Sequence, residues 1–127
     1  MTLGGLRYIL RSVNNLVDLQ VAEHGADARV VTVIGEVDSL TAPQLDHFLT
    51  AQLAVARLVV VNLDGVRFLA STGLRVLLEV NELALQQDRH LRLVCNSPTA
   101  NLTLETTGLR EHFNFADTVP DALDSAL

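Results

Sequence analysis

Two hydroxyl residues, Ser71 and Thr72, lie where a buried strand is predicted to pass into a helix. The tetrapeptide Ala70-Ser71-Thr72-Gly73 follows apolar residues and precedes apolar residues at helical spacing. The first N–H groups of a helix lack intrahelical partners, and with the helix dipole they favour an anion. A serine here could cap the helix. Such a capping serine could also accept a phosphoryl group of about −1.5 to −2 charges, which the helix end would stabilise. The residues leave both roles open.

The neighbours of Ser71 argue against catalysis. Its flanks, Ala70 and Gly73, do not form the G-x-S-x-G elbow of a hydrolase. His24, His47, His90 and His112 lie in no recognisable triad context. The chain has no lysine and no G-x-x-x-x-G-K loop, which makes nucleotide hydrolysis improbable. We therefore predict that the protein is not an enzyme.

The remaining reactive side chains indicate structural roles. One cysteine and scattered histidines give no metal-ligand spacing, so we expect neither a metal nor a cofactor. Cys95, in an apolar strand, is interpreted as a core residue, with redox sensing as the minority alternative. Asp38 and Asp64 follow strands and are interpreted as turn residues rather than as acids or bases.

Composition predicts one acidic globular domain. A chain of 127 residues, 49% of them apolar and 19% charged, is long and apolar enough to bury a core. A net charge of −6 argues against direct nucleic-acid binding. No apolar run approaches the ~20 residues of a membrane helix, and a single cysteine fits a reducing compartment. We expect a cytoplasmic protein without membrane contact.

Periodicity predicts strands that alternate with helices after an initial hairpin. Strands are expected at residues 16–24, 30–34, 58–63 and 91–95, with a short edge strand at 113–115. A capping box of Thr41 and Gln44 opens the first helix, and the second runs from about Thr72 to Gln87. Ser97-Pro98 and Thr118 open the last two. Residues 1–15 are an N-terminal extension, and a loose segment, an added strand and a short helix all remain open for it.

Four segments together resemble a known family. They are Gly35-Glu36-Val37-Asp38 with Thr41-Ala42, the stretch from Val61 to Leu74, Asn96-Ser97-Pro98, and Thr107-Gly108-Leu109. This combination resembles the STAS domain of anti-sigma factor antagonists and of their relatives in sulfate transporters. The resemblance covers about residues 16–127. It implies a single α/β domain with a mixed sheet of four or five strands and helices mainly on one face.

The resemblance also implies a binding switch. In bacterial antagonists of this family, a partner kinase that is itself the anti-sigma factor phosphorylates the serine that opens the second helix. By position that serine is Ser71, with Thr72 as the less favoured acceptor. The unphosphorylated antagonist binds the kinase and frees the sigma factor, and phosphorylation ends this binding. The family's acidic residue after the second strand corresponds to Asp38, whereas the Asp that often precedes the phosphoserine is here Ala70.

The predicted partner face combines these positions with their neighbours. It comprises Asp38, Ser39, Thr41, Ala70, Ser71, Thr72, Gly73 and Arg75. We expect a monomer or a weak dimer. Two alternatives stay open: a non-switching subunit of a larger stress-sensing or transport assembly, and a module that senses a small molecule or nucleotide at the helix end.

Overall fold

The computed structural model describes residues 6–13 and 16–124, which form a six-stranded sheet and four α-helices. The strands are β1 (Leu6–Val13), β2 (Val17–His24), β3 (Ala28–Val37), β4 (Leu58–Leu69), β5 (His90–Val94) and β6 (Asn114–Ala116). The helices are α1 (Ala42–Leu53), α2 (Ser71–Gln86), α3 (Pro98–Thr106) and α4 (Val119–Asp124), with a 3₁₀ turn at Arg110–His112. The predicted α/β class is confirmed.

The strands lie in the sheet in the order in which they occur in the chain. β1, β2 and β3 pair antiparallel, and Gly25 adopts a positive φ of 66° in the tight turn that closes the β2–β3 hairpin. β3 to β6 pair parallel, since helices form their connections. The sheet is therefore mixed, as predicted, although it has six strands rather than four or five.

β1 supplies the strand beyond the predicted number. Of the three alternatives for the N-terminal extension, the structure has the added strand, because Leu6–Val13 pairs with β2. An ion pair of 2.7 Å between Arg11 and Asp18 joins the two strands. Residues 1–5 and 14–15 lie outside the described residues, so the domain boundary between residues 15 and 16 stays a prediction.

β4 is longer than predicted because two bulges carry it past an apparent turn. Its pairing with β3 slips by one residue between Asn62 and Gly65, and slips again between Val66 and Phe68. Bulges of this kind accommodate an extra residue without ending the strand. Asp64-Gly65 is therefore part of the strand rather than its end. β3 and β4 run together as far as the pair Val37–Leu69.

Alternate residues of the central strands feed two cores on opposite faces of the sheet. On β4, Val59, Val61 and Leu63 belong to the larger core, which α1, α2 and α3 cover. Leu58 and Val60 point the other way, into a smaller core under α4. Three helices on one face and one on the other match the predicted arrangement.

Candidate functional site

The ends of β3 and β4 bring together two segments that are far apart in the sequence. The N–H of Ala70 donates to the carbonyl of Val37 over 2.8 Å, directly before Asp38. The Asp38 segment and the start of α2 thus meet at the carboxyl edge of the parallel strands. This edge is where α/β sheets commonly bind ligands.

Gly73 sets the close approach of α2 to β3. A Cβ atom at this position would lie 2.5 Å from Val37 Cγ1 and 2.9 Å from Leu69 Cδ1. Carbon atoms do not approach so closely, so a residue with a side chain would push the helix away. Gly73 is buried, and it shapes the predicted partner face from below rather than contacting a partner directly.

α2 begins one residue earlier than predicted, and no side chain caps it. Ala70 occupies the N-cap position, and Ser71 is the first helical residue. The capping role considered for Ser71 is therefore wrong, because this residue lies one position past the cap. Ser71 is exposed, and its hydroxyl has no hydrogen-bond partner within residues 6–13 and 16–124.

The neighbouring hydroxyl of Thr72 is placed differently. Its Oγ1 is closed to solvent and finds no hydrogen-bond partner among the described residues. A phosphoryl group can be transferred only to a hydroxyl that the donor can reach. The geometry therefore favours Ser71 over Thr72 as an acceptor, and the exposed Arg75 lies one helical turn beyond Ser71.

Asp38 closes a tight turn between β3 and α1. Its Oδ1 accepts the N–H of Leu40 at 2.9 Å and the N–H of Thr41 at 3.1 Å. Thr41, which is 2% exposed, accepts the N–H of Asp38 through Oγ1 and donates to the carbonyl of Glu36, both over 2.9 Å. This is an Asx turn locked by a second side chain.

These bonds overturn the predicted capping box of α1. Thr41 does stand at the N-cap, and Pro43 lies in the first turn as expected. The Thr41 hydroxyl nevertheless makes no bond to the helix, because it is committed to Asp38 and Glu36. Thr41 therefore supports the turn from inside, and Ser39 is the exposed polar residue of this segment.

Sequence reasoning missed two apolar residues near this site. Leu40 is 79% exposed and Phe68 is 47% exposed. Leu40 follows Ser39 in the Asp38 turn, and Phe68 pairs with Glu36 at the end of β4. A leucine between polar residues of a turn was the available signal for the first. The bulges of β4 hid the position of the second.

The next junction, between β5 and α3, shows what a capping serine looks like in this fold. Ser97 accepts the N–H of Ala100 at 3.2 Å and donates to the carbonyl of Val66 at 2.6 Å. It is 4% exposed. The predicted start of α3 at Ser97-Pro98 is confirmed.

Cys95 is buried beside this junction. Burial raises the pKa of its thiol, so the thiol stays protonated at neutral pH. A protonated, enclosed thiol reacts slowly with oxidants. The structure thus agrees with the interpretation of Cys95 as a core residue.

Two features are absent from residues 6–13 and 16–124. No group of three or more His, Cys, Asp or Glu residues there could hold a metal ion. No helix in that part of the chain is long and apolar enough to span a membrane.

Comparisons with known proteins identify the family. The model of the STAS domain family matches residues 19–122, and the chain belongs to this family. Anti-sigma-F factor antagonist RsfB of Mycobacterium tuberculosis is 28% identical over 113 residues, which cover 88% of this chain and 91% of RsfB. An anti-sigma factor antagonist from Mycobacterium paratuberculosis is 32% identical, with a TM-score of 0.77 over 88% of this chain and 95% of its own. Unphosphorylated SpoIIAA shares the fold, with a TM-score of 0.71 at 19% identity over 84% and 93% of the two chains.

Proposed function

We propose that the protein is an anti-sigma factor antagonist switched by phosphorylation of Ser71. In its unmodified form it binds an anti-sigma factor that is also a serine kinase, and so releases the sigma factor. The observation that carries this proposal is the exposed hydroxyl of Ser71, unbonded among the described residues, at the first position of an uncapped helix. The kinase supplies the chemistry, and the protein itself catalyses nothing.

The names of two relatives support this proposal. The antagonists from the two mycobacteria each align with 88% of this chain. The match to the family model, residues 19–122, includes both the Asp38 turn and the start of α2. The proposed partner is accordingly an anti-sigma factor, which this protein meets in the cytoplasm.

The position of Ser71 explains how a phosphoryl group could act as a switch. At the start of α2 the added charge would face free N–H groups and the positive end of the helix dipole, so the fold would tolerate it. A partner docked over the same spot would have to desolvate this new anion. Phosphorylation would therefore weaken binding without unfolding the domain.

The exposed residues of the site are the ones that would touch the partner. Ser39, Ser71 and Arg75 present their side chains to solvent, whereas Thr41 and Gly73 are buried. We assign direct contacts to the exposed set and a shaping role to the buried pair. Ala70, half-buried at the N-cap, lies between the two groups.

A phosphorylation assay tests the proposal. Each serine kinase of the anti-sigma class encoded by the same genome is incubated with the protein and ATP, and the intact mass is measured. We expect one phosphoryl group on the wild type and on Thr72→Val, and none on Ser71→Ala. Failure of every kinase to modify the wild type, or modification that survives Ser71→Ala, would contradict the proposal.

The alternatives predict other results. A non-switching subunit of an assembly should form a large homo-oligomer in light scattering, whereas the proposed antagonist should be a monomer or a weak dimer. A nucleotide sensor should show saturable shifts in the amide signals of residues 71–74 when ATP is added without kinase.

A further inference from the structure

The turn between β3 and α1 exposes an apolar side chain that the fold does not use. Leu40 is 79% exposed, more than any other large apolar side chain whose exposure the structure describes. Single exposed leucines are common on protein surfaces. Leu40 differs from an ordinary exposed leucine in how its backbone is held and in where it lies.

The backbone around Leu40 is fixed by its own neighbours. Asp38 Oδ1 accepts the N–H groups of both Leu40 and Thr41, and the Thr41 hydroxyl ties Asp38 to Glu36. The turn is thus ordered before any partner arrives. A preorganised contact loses less entropy on binding than a mobile one, which favours its use as an anchor.

Leu40 also belongs to the segment that the hydrogen bond between Ala70 and Val37 brings to the start of α2. Leu40 is the third residue after Val37, so the two Cα atoms are at most about 11 Å apart. The Val37 carbonyl accepts the N–H of Ala70, whose next residue is Ser71. An interface of standard size, which buries about 800 Å² on each partner, is wide enough to include both Ser71 and this turn.

A kinase must recognise Ser71 on a folded surface. The residues before Ser71 belong to β4 and those after it to α2, so they are not available as an extended peptide. Recognition then depends on side chains that other segments present nearby. Apolar side chains that fill a partner's pocket usually contribute most to such binding.

We propose that Leu40 is the apolar anchor of the docking surface and enters an apolar pocket of the anti-sigma kinase beside its active site. Asp38 is then a positioning residue, because its Oδ1 holds the turn that carries Leu40. This inference rests on the function proposed above, and it adds the chemistry by which the partner is recognised.

Affinities of variants test the anchor. The kinase that phosphorylates the wild type is titrated with each variant in a calorimeter. Leu40→Ala should weaken binding about tenfold or more, as expected for a buried anchor. The matched control is Leu85→Ala, since Leu85 is 69% exposed and lies on α2 about 21 Å beyond Ser71 at 1.5 Å per residue. This control should bind like the wild type.

The possible failures are distinguishable. If the wild type is phosphorylated at Ser71 but Leu40→Ala binds as tightly as the wild type, the anchor is overturned and the proposed function stands. Equal losses in Leu40→Ala and Leu85→Ala would also overturn it. If no kinase binds or modifies the wild type, both the anchor and the proposed function are contradicted.

A second pair of variants tests the positioning role of Asp38. Asp38→Asn keeps a side-chain oxygen for the two N–H groups but removes the charge, so it should bind nearly as well as the wild type. Asp38→Ala removes the acceptor that holds the turn, so it should bind as weakly as Leu40→Ala. The double variant, Asp38→Ala with Leu40→Ala, should bind only slightly more weakly than either single variant. If Asp38→Asn lost as much affinity as Asp38→Ala, the kinase would be contacting the carboxylate itself, and the positioning role would be wrong.

Discussion

Ser71 and Ser97 each lie where a strand of the sheet passes into a helix, and their hydroxyls are used in opposite ways. Ser97 is 4% exposed, caps α3 at Ala100 and donates to Val66. Ser71 is exposed, stands one position past the cap of α2, and has no hydrogen-bond partner in the described part of the chain. The same residue type stabilises the structure at one junction and stays available for chemistry at the other.

Packing explains this difference. α3 lies against β4, where Thr103 Oγ1 donates to the carbonyl of Leu69, and Ser97 is enclosed between the two elements. α2 instead begins at the carboxyl edge of the parallel strands, with Ala70 as an N-cap whose side chain offers no acceptor. The first N–H groups of α2 therefore lack a side-chain cap and remain open to an anion.

The largest expected effect tests the close approach of α2 to β3 at Gly73. Gly73→Ala should lower the free energy of unfolding by about 3 kcal/mol, because its Cβ would overlap Val37 and Leu69. Urea denaturation measures this loss. The control is Gly108→Ala, where the cost comes from a φ of +71° alone, because nothing lies within 4 Å of the new atom. A Gly73→Ala protein no less stable than this control would contradict the close approach.

The next largest effect is expected when the hydrogen bonds of the Ser97 hydroxyl are removed. Ser97→Ala removes a helix cap and leaves the buried carbonyl of Val66 without its donor. We expect a loss of about 2 kcal/mol in the free energy of unfolding, again from urea denaturation. If the loss were no greater than that of Ser71→Ala, the contrast between the two serines would be wrong.

A third variant gives the junction between β4 and α2 a side-chain cap like the one at the junction between β5 and α3. Ala70→Asp places an acceptor at the uncapped N-cap of α2, and should stabilise the protein by about 1 kcal/mol at neutral pH. The gain should disappear as the pH falls through the pKa of the new carboxylate, because only the charged form interacts fully with the helix end. Thermal unfolding at neutral and at acidic pH measures this gain in stability and its loss. An unchanged melting temperature at neutral pH would mean that α2 is already capped.

The smallest expected effect concerns Ser71 itself. Ser71→Ala should change the free energy of unfolding by no more than about 0.5 kcal/mol, since the exposed hydroxyl stabilises nothing in the described structure. Denaturation in parallel with Ser97→Ala gives the comparison under the same conditions. A loss above 1 kcal/mol would indicate a structural role for this hydroxyl.

Much of this arrangement could be predicted, because local patterns and tertiary contacts agree in most elements. Alternation with Gly25 defined the β2–β3 hairpin, and Ser97-Pro98 marked the start of α3. Asp64-Gly65 was misleading, since bulges depend on the partner strand and leave no clear local signal.

The details of the site were less predictable from the sequence. Whether Ser71 stands at the cap or one position past it depends on the backbone angles of a single residue, Ala70. Similarly, Thr41 precedes α1 as a cap would, but its hydroxyl turns back to Asp38 and Glu36. The exposure of Leu40 follows from that turn, and the polar residues on either side of Leu40 were its sequence signal.

The central claim is that Ser71 switches binding on and off, and one affinity comparison tests it most directly. The anti-sigma kinase is titrated with the unmodified protein and with the same protein fully phosphorylated at Ser71. We expect the phosphorylated form to bind at least about tenfold more weakly, because its new charge of about −2 must be desolvated under the partner. Equal affinity of the two forms, with both still folded by circular dichroism, would contradict the account.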